Sequence, residues 1–322
     1  MKGKVNTEFS YELFENGLDF ILSGLENLGK KQLDKRAYKF GILHLAAGIE
    51  LIFKERLRRE HWSLLFENID KAHAAALANG DFKSVGFESL VNRLANIAKV
   101  CIAKNESQTI NELRKKRNKA QHFQITDTPA AIESVTAQAV SFALDFIKKE
   151  LSQPKMNKQE LDTLEKIKNK LTDFKAFVDS RWNKIQSLLQ KYKEDKAIVV
   201  DCVQCLQKAV IINGEHPKCL FCNSEFKPLN LASDWASQFL GRSDYDHIKD
   251  GGPSPTMICP SCEEETLVEI GKHKAQWLCF NCATSWESGD LDTCTICGNL
   301  FEMEEMTVCG NCFDKKIADP NT

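Results

Sequence analysis

Cys202-Val203-Gln204-Cys205 and Cys219-Leu220-Phe221-Cys222 read as the two halves of one metal site. A pair of thiols separated by two residues on a tight turn faces a single ion, and a second such turn completes a tetrahedron. The pattern recurs downstream. Twelve of the 13 cysteines fall in Cys-x2-Cys pairs, at 202/205, 219/222, 259/262, 279/282, 294/297 and 309/312. Taken two pairs at a time, the pairs are separated by 13, 16 and 11 residues. Between the first two, Val210-Ile211-Ile212 runs into Asn213-Gly214, a hairpin turn signal. Thr266–Ile270 and Ala275–Leu278 read as strands on either side of Gly271, and Cys297-Gly298-Asn299 and Cys309-Gly310-Asn311-Cys312 carry small, turn-tolerant residues.

This array resembles the zinc-ribbon family, repeated three times over 197–240, 257–290 and 291–322. The expected ligands of three structural Zn2+ ions are Cys202, Cys205, Cys219 and Cys222; Cys259, Cys262, Cys279 and Cys282; and Cys294, Cys297, Cys309 and Cys312. Four thiolates leave no open position for water or substrate, so the role is structural. Each ion supplies roughly 10–16 kcal/mol of folding free energy to a segment too short to bury a core. The second and third modules admit two pairings, sequential or cross-braced with 259/262 sharing an ion with 294/297. The hairpin between 262 and 279 favours the sequential one. Cys101, the odd cysteine, is predicted to be buried on a helix.

Outward from the cysteines the charge divides. Residues 197–322 hold 9 Lys+Arg against 19 Asp+Glu, whereas 1–153 hold 23 against 19 and 154–196 hold 11 against 7. With each loaded site adding −2, the C-terminal half stands at about −16. Met1–Asn6 contains no apolar signal core, and the run from Ile42 to Phe53 is too short to span a bilayer. A cytoplasmic, non-membrane protein is expected, in which cysteine pairs mean metal rather than disulfide.

Upstream, the chain reads as helical. Phe9, Leu13, Leu18, Ile21, Leu25 and Leu28 hold helical spacing. Further helices are predicted over about 31–61, 87–103 and 107–123, and one after Thr128-Pro129 to about Leu151. The fold class is multidomain: an all-α helical bundle over 1–152, a long helix or coiled coil over 153–196, and small β zinc-ribbon modules. In the long helix Leu164, Leu171, Val178, Ile185 and Tyr192 fall seven apart, with Ile167, Phe174 and Leu188 between. That seam fits a two-chain coiled coil or one helix lying on the bundle. The Gly/Pro/Asp stretch from Gly241 to Thr256 reads as a flexible loop.

One basic segment stands apart, Arg114-Lys115-Lys116-Arg117-Asn118-Lys119-Ala120-Gln121-His122-Phe123. It resembles the Arg-polar-x3-His signature of the HEPN superfamily, helical bundles that include bacterial ribonuclease toxins, and the likeness extends over about 1–150. The resemblance implies metal-independent RNA cleavage at a homodimer interface by Arg117 and His122, with Asn118 the polar residue after the arginine. A histidine can move the protons of a 2′-hydroxyl and a departing 5′-oxygen, and an arginine can hold the phosphorane charge. The product would be a 2′,3′-cyclic phosphate. Lys115, Lys116 and Lys119 are the expected RNA-backbone contacts. Glu50, in the His44–Glu50 stretch, either orients Arg117 or His122 or forms a structural pair with His44. The Arg-x4-His spacing also occurs at Arg56…His61 and Arg242…His247, but only Arg117…His122 joins a polar second residue to a basic helix end. On an ideal helix five residues leave Arg117 and His122 about 140° apart, so the helix loosens near His122 or a second chain completes the site. A subgroup of these toxins has a tyrosine two residues after the histidine, where this chain has Gln124.

Two functions follow as expectations. One is a HEPN-type endoribonuclease, a toxin or anti-phage effector whose ribbons sense or recruit. The other is a non-catalytic adaptor binding nucleic acid or protein. In either case the acidic ribbon array is expected to engage a protein partner.

Overall fold

Gly17 and Gly24 stand seven residues apart, and so do Gly41 and Gly48. In a computed structural model, helices α1 (Leu13–Leu28) and α2 (Lys35–Glu60) meet on these four positions. The described residues are 11–30, 34–152, 155–214, 216–251, 254–271, 276–287, 289–303 and 307–318. A Cβ on Gly24 would lie 3.1 Å from the Gly41 carbonyl oxygen, and one on Gly48 would lie 2.8 Å from that of Gly17. Only glycine allows two backbones this close. The apolar stripe of α1, Leu18, Ile21 and Leu25, is thereby sealed into the same core as Leu45, Ile49 and Ile52 of α2.

The chain divides into two units, Met1–Asp127 with Ile132–Ser180, and Thr128–Ala131 with Arg181–Thr322. The first holds α1, α2, α3 (Ala74–Asn79), α4 (Phe87–Asn96), α5 (Lys104–His122) and most of α6 (Pro129–Glu150). Phe53 of α2 is fully buried against the rings of Phe142 and Phe146. Helix α6 is long and apolar enough to cross a membrane by length and composition, but 72% of that apolar window is buried inside the protein. It is a core helix. The expected cap of α6 is present, with the Ala131 N–H donating to Thr128 Oγ1 at 3.2 Å.

Three expectations change here. The predicted helix over 87–103 stops at Asn96, and Cys101 is exposed and outside any helix rather than buried. Phe9, taken as the first residue of the α1 pattern, and the break at Gln153-Pro154 lie outside the described residues. The heptad seam is occupied within the chain. In α7 (Lys158–Glu194), Leu164, Ile167, Leu171 and Phe174 are buried in the bundle core, and Val178 packs against it. Beyond Arg181 the buried stripe follows Ile185 and Leu189, while Leu188 is exposed. Spacings of four replace the strict seven, the drift of a straight helix against a 3.5-residue repeat. The intrachain reading of the seam therefore replaces the two-chain coiled coil.

The second unit carries small antiparallel sheets. Strands β1 (Ile198–Asp201), β2 (Lys208–Ile212) and β3 (Lys218–Cys219) form one in sequential order, with a register shift at Val200/Asp201. A second comprises β4 (Leu267–Glu269), β5 (Trp277–Cys279) and β6 (Ser285–Trp286). The third is a two-stranded hairpin, β7 (Leu291–Thr293) and β8 (Leu300–Glu302). Helix α8 (Pro228–Trp235) sets Trp235 against Phe280, with ring centroids 5.8 Å apart and the planes tilted by 51°. The stretch expected to be a flexible loop instead holds helix α9 (Asp244–Asp250), with Arg242 bonded to Glu269 at 2.7 Å. Gly252 and Pro253, and Ala275 of the expected second strand, lie outside the described residues.

Candidate metal centres and a candidate active site

Each tetracysteine group is built from the local backbone outward. Leu206, Asn223, Glu263, Ala283 and Gly298 each follow the second cysteine of a pair, and each has φ between 59° and 76°. That left-handed residue folds the turn back, so that its N–H reaches the carbonyl of the first cysteine at 2.8–3.1 Å. The N–H of the first cysteine in turn donates to the carbonyl five residues on, at 2.8–2.9 Å. Five pairs out of six share this frame. Backbone N–H groups of Gln204, Cys222, Asn281 and Cys282 then point at cysteine sulfurs at 3.3–3.5 Å. Such donors favour the thiolate that a metal needs.

The sixth pair differs. Cys309 and Cys312 stand at the start of helix α10 (Gly310–Ala318), where the N–H groups of Cys312 and Phe313 bond the Cys309 carbonyl at 3.0 Å. The third module is thus a hairpin with one knuckle and a helix, not a third copy of the first two. A helix N-terminus serves the same end, because its partial positive charge favours thiolate.

The four sulfurs of each group lie within 4.8 Å of one another, and the grouping is sequential: 202/205/219/222, 259/262/279/282 and 294/297/309/312. Tetrahedral zinc with Zn–S bonds of about 2.3 Å requires sulfurs about 3.8 Å apart. Across the pairs the separations are 3.8 and 3.7 Å in the first group, 3.8 and 3.6 Å in the second and 3.7 Å in the third. A disulfide would bring two sulfurs to about 2.05 Å. The three groups are therefore compatible with three zinc sites. Ser224 and Thr284, each two residues after the fourth cysteine of its module, lie 3.1 and 3.2 Å from Cys222 and Cys282. Thr266 lies 3.1 Å from Cys279, and Asn281 donates to Cys262 at 3.6 Å. Sequence reasoning passed over these four; the recurring hydroxyl after the last cysteine was a visible signal.

In the bundle, α5 brings some of the expected residues together and separates others. Arg117 faces α2, its guanidinium 3.6 Å from the Glu50 carboxylate. It also donates to Asn118 at 3.1 Å and to Gln121 at 3.5 Å. Glu50 accepts from Lys54 at 2.7 Å and does not pair with His44, which lies 3.0 Å from the Ser23 hydroxyl. Of the two roles weighed for Glu50, holding Arg117 is the one the geometry provides. His122 is exposed at the end of α5 and has no partner among the described residues. The helix does not loosen before it, since the Phe123 N–H still bonds the Lys119 carbonyl at 2.9 Å. Arg117 and His122 consequently point about 140° apart on one chain.

Lys115 is exposed and Lys119 half-buried, whereas Lys116 is buried. Its side chain is 1% exposed, bonded to Asp127 at 2.6 Å and Glu112 at 3.1 Å. A buried, doubly paired ammonium cannot reach a phosphate, so Lys116 leaves the RNA-binding set. Burial alone would push its pKa down, but the Glu112 and Asp127 carboxylates more than offset that and hold it above 10.5.

The other two Arg-x4-His patterns are in structural use. Arg56 bonds Glu60, Glu150 and the Ala98 carbonyl, His61 caps the turn at Ser63, and Arg242 holds Glu269.

No known protein family, curated protein or solved structure matches this chain.

Proposed function

We propose that this chain is a HEPN-type endoribonuclease that cuts RNA without a catalytic metal, and that its twelve paired cysteines hold three structural zinc ions. The observation that carries the reading is the state of the Arg117…His122 segment. Glu50 holds the arginine at the contact of α2 with α5, while the histidine stands exposed one turn later, without a partner among the described residues. The chain's other two matches to the pattern are engaged in structural bonds. In the reaction, a ribose 2′-oxygen attacks the adjacent phosphorus and the bond to the 5′-oxygen breaks. A histidine takes the hydroxyl proton or supplies the one the leaving oxygen needs, and the arginine stabilises charge on the phosphorane. The products are a 2′,3′-cyclic phosphate and a 5′-hydroxyl. Because the two side chains diverge on one helix, the working site combines two copies of the chain. The acidic zinc-bearing half, at about −16 when loaded, repels phosphate and suits a protein partner.

RNA cleavage in EDTA tests the reading. Cleavage should persist over a short assay, should vanish with deoxyribose at the cut position, and should be lost in Arg117→Ala and His122→Ala. His61→Ala and His247→Ala should retain it. One observation favours a non-catalytic adaptor: Arg117 already has partners in Glu50, Asn118 and Gln121. If His122→Ala cuts RNA like the parent, the adaptor reading takes its place.

A further inference from the structure

Phe123, the residue after His122, is 83% exposed, more than the other exposed large apolar side chains among the described residues of the first unit, Tyr11, Ile69, Ile97 and Leu161, none of which lies on α5. It is not on a loose tail. Its N–H caps α5 on the Lys119 carbonyl, and four residues later Asp127 is locked to buried Lys116 at 2.6 Å. The ring is therefore held out in water on a segment anchored at both ends. Exposing an aromatic this fully forgoes its burial energy, on the order of 2 kcal/mol.

What surrounds the ring indicates what covers it. Lys115, Asn118, Lys119 and His122 share one face of α5 by their three- and four-residue spacing, and that face leads to Phe123. A partner packed dry over the ring itself would place further apolar side chains around it, and the neighbours are cationic and polar, as a cleft between two copies that admits RNA would be. From these observations we infer that Phe123 is a stacking platform for a base of single-stranded RNA, with Lys115 and Lys119 holding the phosphates that lead to it. Phosphates meet the lysine side chains, and the uncharged base meets the ring. The inference rests on the ribonuclease reading for its substrate, but binding and cleavage are separable.

The experiment is fluorescence anisotropy of the full-length protein with a labelled single-stranded RNA of mixed sequence bearing 2′-O-methyl groups. Such RNA lacks the attacking hydroxyl and cannot be cut. Phe123→Ala and Phe123→Leu should each weaken binding about tenfold or more, whereas Phe123→Tyr and Phe123→Trp should bind like the parent. The side chain is exposed, so these variants keep the fold, which circular dichroism checks. Parent-like affinity in Phe123→Ala or Phe123→Leu, or no RNA binding by the parent, overturns the proposal. So does a change in oligomeric mass in Phe123→Ala with RNA affinity intact, which would place a second copy on the ring. Loss of binding in Phe123→Ala while His122→Ala still cuts would sink the catalytic reading and leave this one standing.

Discussion

Lys115, Lys116 and Lys119 are alike as letters, three cations within five residues of one helix. Their places differ because α5 buries the stripe through Ile110, Leu113 and Ala120, and Lys116 falls on it. Read as letters, the sequence places all three at RNA phosphates; only the spacing of that stripe, with Glu112 one turn before it, sets Lys116 apart. What it does not show is Asp127, whose arrival depends on how the chain turns after His122. Lys116→Ala should therefore destabilise the bundle by about 3–5 kcal/mol, since two buried carboxylates lose their counter-ion. Urea denaturation would measure this, and a parent-like midpoint would refute the buried cluster. The pH dependence has a definite sign. A lysine whose folded pKa lies above its ordinary 10.5 stabilises the fold fully below 10.5, and that stability is lost as pH rises through the higher value. The parent should thus lose stability in strong alkali, and Lys116→Met should lose less over the same interval.

Among the elements, the α1–α2 pair shows how glycine spacing carries information that hydrophobic periodicity misses. Apolar residues predicted the helices, but the glycines set the distance between them. A Cβ on Gly48 meets Ile21 at 2.7 Å and the Gly17 carbonyl oxygen at 2.8 Å. Helix propensity alone would favour alanine by about 1 kcal/mol. Overpacking against backbone, at about 1–3 kcal/mol, outweighs that, so Gly48→Ala should lower the melting temperature. Thermal unfolding checks it, and a stabilised variant would mean the helices are farther apart than described. The zinc modules carry the opposite lesson. Cys-x2-Cys spacing predicted the knuckles, yet the left-handed residue after the second cysteine is Leu206, Asn223, Glu263 and Ala283 before it is Gly298. Two backbone hydrogen bonds per turn hold Leu206, Glu263 and Ala283 where propensity would not.

At the scale of the whole molecule, both the metal and the boundary between units are testable. Twelve cysteines in three sequential groups predict three zinc ions per purified chain and two in Cys219→Ser, with the bundle's helicity unchanged. Elemental analysis with far-UV circular dichroism reads both, and a parent stoichiometry near one would refute the assignment. The larger segment of the second unit starts at Arg181, inside α7, rather than at the first strand. Trp182 packs at a tilt against Phe221, centroids 5.7 Å apart, and donates to Gln207 at 2.7 Å, so the end of the long helix forms part of the first cysteine module.

The sequence by itself determined the helical bundle, the twelve paired cysteines and the hairpins of the first two cysteine modules, because each rests on local spacing. Thiols two residues apart face one ion, and apolar residues three and four apart face one core, wherever the rest of the chain lies. Tertiary structure alone decided that the heptad seam of α7 is buried within its own chain, and that Lys116 lies inward against Asp127. It also decided that the third cysteine module closes on a helix, and that Arg117 rather than His122 meets Glu50. Each of these depends on which distant surface reaches a side chain first, and desolvation then settles whether its charge is paired or left to water.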